Sequence, residues 1–166
     1  MDARINIKIF LKTVILFPLF MIFIMFPLCL LIVITAFVPK GRVLATKLYE
    51  FFGWIGIVLV GVELNVIGAE KIDTKKSYVV IGNHPSTLDI FTHITALPVS
   101  IRFLTKTELF RIPIFGRVLK TLGLPRIDRK NAKANFEKIN DSINQVIKLG
   151  NSIMIFPEGK RSNQKE

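Results

Sequence analysis

The chain has 166 residues, 51% of them hydrophobic, with 23 Lys+Arg against 12 Asp+Glu, a formal charge of +11, a mean hydropathy of +0.48 and a single cysteine. Positive mean hydropathy with 10% aromatic residues excludes a disordered chain, which combines low hydrophobicity with high charge. One cysteine excludes an internal disulfide framework and a cysteine-rich zinc site, and the length predicts one domain at most, with a membrane appendage where the apolar residues crowd.

No charged residue occurs between Thr13 and Val38. As one helix this run would measure about 39 Å, enough to cross a bilayer core of roughly 30 Å with tilt. Pro18 and Pro27 each remove a backbone donor, so a kinked or back-bending path is expected. The run is too long for the apolar core of a cleavable signal peptide and no small-x-small site follows it, so a signal anchor is the better reading. Cys29, inside it, is expected to be inert. Arg4, Lys8 and Lys12 on one side balance Lys40, Arg42 and Lys47 on the other, so loop charge gives no orientation. A second apolar stretch, from Phe51 to Val62, is too short to span and carries three glycines. It reads as an interfacial or re-entrant helix with Trp54 near the headgroups, a buried core helix being equally open.

Beyond Ser77 short apolar runs alternate with amphipathic segments. Strands are predicted at 78–81, 101–104, 124–127 and 153–156, and helices at 86–97, 112–122 and 132–149. Pro85 suits the start of the first helix, Gly123 and Gly150 stop the other two, and Phe136, Ile139, Ile143, Val146 and Ile147 share one stripe of the last. The alternation predicts an α/β fold, a mostly parallel sheet with flanking helices, preceded by hydrophobic amino-terminal helices. We divide the chain into a membrane-embedded or interfacial helical segment, 1–68, and an α/β domain, 69–166. Glu166 follows the last predicted strand closely, without the further strand and helix such a layer ordinarily carries, so a truncated or unusually small domain is expected.

Two loops carry the chemistry, each directly after a predicted strand. The first is Asn83-His84-Pro85-Ser86-Thr87-Leu88-Asp89. An imidazole exchanges protons near neutrality, and a carboxylate on its other nitrogen fixes the tautomer. Five residues of helix would rotate His84 and Asp89 apart, so they meet only if His84 sits on the turn before the helix, where Pro85 breaks it. An isolated His near an Asp is more often structural. His93, further along that helix, is read as a packed or solvated side chain.

The second loop is Phe156-Pro157-Glu158-Gly159-Lys160-Arg161-Ser162. Loops at the carboxyl ends of parallel strands converge on one crevice, so both can face one site. Glu158 could accept from a substrate hydroxyl, Gly159 admit close backbone approach, and Arg161 hold a phosphate through its planar fork. A solvated charged turn is the plain alternative. Between the loops, residues 101–138 hold ten Lys/Arg against three acids, a local excess of +7 that attracts anions. Nucleic acid is the weakest candidate, since no binding motif is present.

Together NHPSTLD, KTELFRIPIFGRVLKTLGLPRIDR and FPEGKRS resemble the glycerolipid acyltransferase family typified by 1-acylglycerol-3-phosphate acyltransferase, whose His-x4-Asp motif, middle block and Phe-Pro-Glu-Gly motif they match over roughly residues 77–162. The hydrophobic amino-terminal segment also looks like the family's membrane-docking helices. The resemblance implies that His84 is the general base for the acceptor hydroxyl and that Asp89 orients it. The alkoxide would attack the thioester of acyl-CoA or acyl carrier protein directly. Arg129, Glu158, Gly159 and Arg161 would bind the glycerol-phosphate part of the acceptor. No cofactor or metal is implied, and the partners are membrane lipids, lysophosphatidic acid and the acyl donor. The implied location is a membrane, integral or monotopic, with the catalytic domain facing the cytoplasm. Lys160 stands where the family usually has Thr, and the family's last apolar motif with prolines is absent.

The expected activity is therefore acylation of 1-acylglycerol-3-phosphate to phosphatidic acid. The alternatives are acylation of another lysolipid acceptor, and a non-catalytic membrane-binding module. The absence of a Gly-x-Ser-x-Gly elbow argues against a serine hydrolase.

Overall fold

The computed structural model describes residues 14–15, 18–128, 131 and 133–158. The first apolar run does not wind uniformly. Met21–Met25 form a π-turn, followed by α1 (Phe26–Thr35) with Pro27 in its first turn. Pro27 offers no N–H to the preceding turn, which accounts for the wider winding there. A tight turn with Lys40 left-handed at φ 59° leads into α2 (Gly41–Val60), which packs against α1. A side chain at position 41 would overlap the Thr35 carbonyl, so glycine is what lets α2 start on the last turn of α1.

The short helix expected from residue 51 is corrected: α2 runs unbroken for 20 residues, and both it and the 18-residue segment Pro18–Thr35 are long and apolar enough to cross a membrane. The charges at Arg42, Lys47 and Glu50 closed the apolar window in the sequence. They do not interrupt helical winding, because all three stay exposed and leave the backbone bonds of the helix untouched. One face of α2 is buried through Ala45, Tyr49, Gly53, Gly56 and Ile57, and Leu44, Phe51, Trp54 and Val58 are exposed. An exposed apolar surface of this kind, shared with Leu31 and Ile34 of α1, marks membrane association.

The α/β part runs in chain order through β1 (Val79–Ile81), α3 (Asp89–Ala96), β2 (Ile101–Phe103), β3 (Thr105–Lys106), α4 (Phe115–Thr121), β4 (Arg126–Ile127), α5 (Phe136–Lys148) and β5 (Ser152–Ile155). The three longer strands form one parallel sheet in the order β1-β5-β2, with Ile81 opposite Ile155 and Phe103 opposite Met154. The segment at 124–127 does not join that sheet. Only Arg126–Ile127 is extended, and it pairs in parallel with β3, which the sequence did not suggest. Pro125 precedes it with no N–H to donate, and its carbonyl accepts from Thr105 N–H at 2.9 Å. Gly123 and Gly150 follow α4 and α5 with φ of 69° and 75°, the left-handed conformation that ends a helix. Of the stripe on α5 only Val146 is buried, while Phe136 stays 66% exposed.

The core unites both parts: Leu28 and Ile32 of α1, Tyr49 of α2 and Ile94 of α3 join Ile101, Phe103 and Met154 of the sheet in one cluster. The contact between α2 and α3 is closest at two glycines. A Cβ on Gly53 would stand 2.7 Å from Ile94 Cβ, and one on Gly56 would stand 2.8 Å from Phe91 Cγ. Small residues on the contact face let two helices approach closely, as they do between membrane helices.

Arg102 is corrected from the surface field to the interior, 2% exposed in the middle of β2. Its Nε donates to Leu122 O at 2.8 Å, one terminal nitrogen to Ser100 Oγ and Ile101 O, and the other to Thr46 Oγ1 of α2 at 2.7 Å. Burial pushes this guanidinium below its ordinary range, while Tyr49 and Glu50 raise it again. Arg102→Ala is expected to cost about 3 kcal/mol, because several buried carbonyls and hydroxyls lose their donor at once. Chemical unfolding in detergent, compared with the wild-type chain, measures it.

Candidate active site

The two loops singled out in the sequence leave neighbouring parallel strands at the same edge. Ile81 and Ile155 are register partners, His84 lies three residues beyond the first and Glu158 three beyond the second, and Gly82 N–H bonds to Ile155 O at 3.3 Å. The convergence expected of parallel strands is thus present.

His84 and Asp89 meet as the turn at Pro85 allows. His84 Nδ1 lies 2.7 Å from Asp89 Oδ2, with the two side chains 19% and 11% exposed. The helix begins at Asp89 and not at 86, which is why the contact is possible: residues 86–88 form a turn in which Ser86 Oγ accepts from Leu88 N–H at 3.1 Å. Ser86 N–H also donates to Asp89 Oδ2 at 2.9 Å. The carboxylate oxygen therefore receives two donors, its position held by the backbone. Because a carboxylate only accepts, the hydrogen is on Nδ1, and in the neutral imidazole the lone pair is then on Nε2.

Aromatic packing sets the plane of the imidazole. The Phe156 ring stacks on His84 with centroids 4.2 Å apart and planes 11° apart, and Phe103 lies 5.7 Å from the same ring. His93 meets Phe156 edge-on at 5.6 Å, and its Nδ1 donates to Asp89 O at 2.6 Å. His93 is a packed side chain, as read from the sequence. Its position, four residues along the helix from Asp89, ties it to that residue's carbonyl.

Phe156 and Ser86 are the contributors that sequence reasoning missed. Phe156 opens the second loop in the sequence, but its ring had no role there; with β5 beside β1, the residue after Ile155 comes next to the turn after Ile81. Phe156→Leu keeps the apolar volume and removes the stacking plane. It is expected to lower turnover roughly tenfold with little change in KM, as judged by steady-state thiol release.

Of the anticipated acceptor-binding residues, Glu158 is exposed in the turn after β5. Arg129, Gly159 and Arg161 lie outside the described residues, as does Lys160.

A family model of the acyltransferase domain matches residues 63–166. The chain belongs to the acyltransferase family. Among its relatives, the 1-acyl-sn-glycerol-3-phosphate acyltransferase of Cocos nucifera is 32% identical over 125 residues, covering 75% of this chain and 40% of that protein. The enzyme of that name from Borreliella burgdorferi is 34% identical over 110 residues, covering 65% of this chain and 43% of that protein. The chain therefore spans less than half the length of these curated relatives. The crystal structure of the 1-acyl-sn-glycerophosphate (LPA) acyltransferase PlsC from Thermotoga maritima superposes with a TM-score of 0.70 at 23% identity, over 99% of this chain and 65% of that one. The acyltransferase fold thus includes the two apolar helices as well as the sheet.

Proposed function

We propose that this acyltransferase moves a fatty acyl group from acyl-CoA or acyl carrier protein to the free hydroxyl of 1-acylglycerol-3-phosphate, giving phosphatidic acid. The observation that carries the reading is the 2.7 Å bond from His84 Nδ1 to Asp89, which leaves Nε2 free to accept a proton. In the proposed step Nε2 takes the hydroxyl proton as the oxygen attacks the thioester carbonyl. The carbon–sulfur bond then breaks, and the imidazolium returns the proton to the departing thiolate. Asp89 stabilises the imidazolium meanwhile. The scheme uses no metal or cofactor, the acyl donor being a substrate.

Arg129 and Arg161, with Glu158 and Gly159, would hold the acceptor's glycerol phosphate; guanidinium groups suit a phosphate through paired donors. The α1–α2 pair, on the amino-terminal side of the 68/69 boundary, would seat the enzyme in or on a bilayer with the catalytic part facing the cytoplasm. An acceptor with one long chain is then delivered from the lipid side. The names of the relatives support this acceptor over other lysolipids.

The test is thiol release from acyl-CoA and from acyl-loaded carrier protein, with lysophosphatidic acid, with a phosphate-free monoacylglycerol, and with no acceptor. The reading requires release that depends on lysophosphatidic acid. Equal rates on the phosphate-free acceptor would sink the headgroup assignment, and lipid binding without release from any donor would favour a binding module.

A further inference from the structure

A cleft of about 490 Å³ opens between the β3–β4 side of the molecule and α5, and none of its described lining residues comes from the His84 loop or the turn after β5. Three cations line it: Lys120 from α4, Arg126 from β4 and Lys138 from α5. All three are exposed. Asp128 also lines the cleft and accepts from Asn131 Nδ2 at 3.0 Å. The Arg126 guanidinium carbon sits 4.5 Å from the centroid of the Phe110 ring, and both side chains line the cleft, a cation–aromatic pair against which a second planar group can stack. Cations from three separate elements, gathered on one concavity and outnumbering its one lining carboxylate, Asp128, suit a ligand with several phosphates.

We infer that this cleft binds the phosphorylated nucleotide of a coenzyme A thioester, its phosphates on Lys120, Arg126 and Lys138 and its base against Arg126. The inference rests on the proposed acyl transfer and concerns the donor, because of connectivity. In lysophosphatidic acid the free hydroxyl and the phosphate sit on adjacent carbons, so the acceptor's phosphate must lie beside His84. In coenzyme A the long pantetheine arm separates the thioester from the phosphates, which can therefore occupy a cleft built from other elements. A concavity of this volume suits a small molecule better than the flat acidic face of a carrier protein.

Direct binding of adenosine 3′,5′-bisphosphate to the full chain in detergent, followed calorimetrically, tests the site without any turnover. Arg126→Gln and Lys138→Gln are each expected to weaken binding about three- to tenfold, and the pair more, while Lys148→Gln, which does not line the cleft, leaves it unchanged. In the transfer assay the same variants should raise the KM for acyl-CoA relative to that for acyl-pantetheine, which lacks the nucleotide. Absence of bisphosphate binding, or equal affinity in the wild type and the cleft variants, overturns the site. Inorganic phosphate binding as tightly as the bisphosphate overturns the nucleotide assignment. A raised KM for lysophosphatidic acid, or for carrier protein alone, transfers the cleft to that substrate and overturns the proposal. A chain that binds the bisphosphate through these residues but transfers no acyl group would instead count against the proposed reaction.

Discussion

Replacing His84 by alanine is expected to lower acceptor-dependent thiol release by about 10²- to 10⁴-fold, the contribution of one positioned general base. The side chain is partly exposed and its loss opens a small gap against Phe156, so far-UV circular dichroism and the melting temperature should change little. Asp89→Asn separates charge from geometry at the same place. Both contacts to Asp89 are received by the one oxygen Oδ2, so the amide oxygen of asparagine can take the bonds from Ser86 N–H and His84 Nδ1 in the same place. The variant should fold normally and still lose about 10²-fold in kcat, since the imidazolium formed in the transition state no longer faces an anion. Near-full activity in His84→Ala would remove the general-base role; full activity in Asp89→Asn would reduce Asp89 to a scaffold.

The second large effect is expected far from the chemistry, at Gly56→Leu. Any Cβ at this position overlaps the Phe91 ring, and a leucine adds three more carbons to the overlap. Overpacking of this kind costs about 3 kcal/mol where neighbours cannot yield. Phe91 is hemmed in by Phe52, with ring centroids 4.8 Å apart, so the strain should be relieved by displacing α3 from α2. Asp89 is the first residue of α3, and a displacement of about 1 Å there would cost roughly 10²-fold in rate. The measurement is paired: melting temperature and thiol release for Gly56→Leu, then for Gly56→Leu combined with Phe91→Ala. Partial recovery of both in the double variant is expected, because the two sites share one contact. A Gly56→Leu chain with unchanged melting and rate would show that the helix pair does not hold the site.

The apolar helices are thus more than an attachment to a lipid surface. Leu28, Ile32 and Tyr49 belong to the same cluster as Ile101 and Met154 of the sheet, and Arg102 reaches from β2 to Thr46. Through Gly53 and Gly56 the second helix also sets the position of the helix that begins with Asp89. This packing gives the His84–Asp89 pair a fixed relation to the exposed apolar faces of the two helices.

Much of this protein could be read from its residues alone, wherever the cause is local. The proline after His84 forbids a continuous helix through the motif, glycines end α4 and α5, and short apolar runs alternating with amphipathic ones specify a parallel α/β layer. Those signals led to the His84–Asp89 contact and to the strand-end loops. Packing over long sequence separations left no such trace. A window of hydrophobicity stops at Lys47 and Glu50 although the helix does not, since exposed charges scarcely affect backbone winding. The separate β3–β4 pair rests on two residues from each strand, too few to make an alternating pattern. Arg102 looked like a surface cation, and only the approach of Leu122 and Thr46 supplies the acceptors that let it be buried. Phe156 became the platform for His84 because β5 lies next to β1, a neighbour relation decided by how the strands pack and by nothing in either segment.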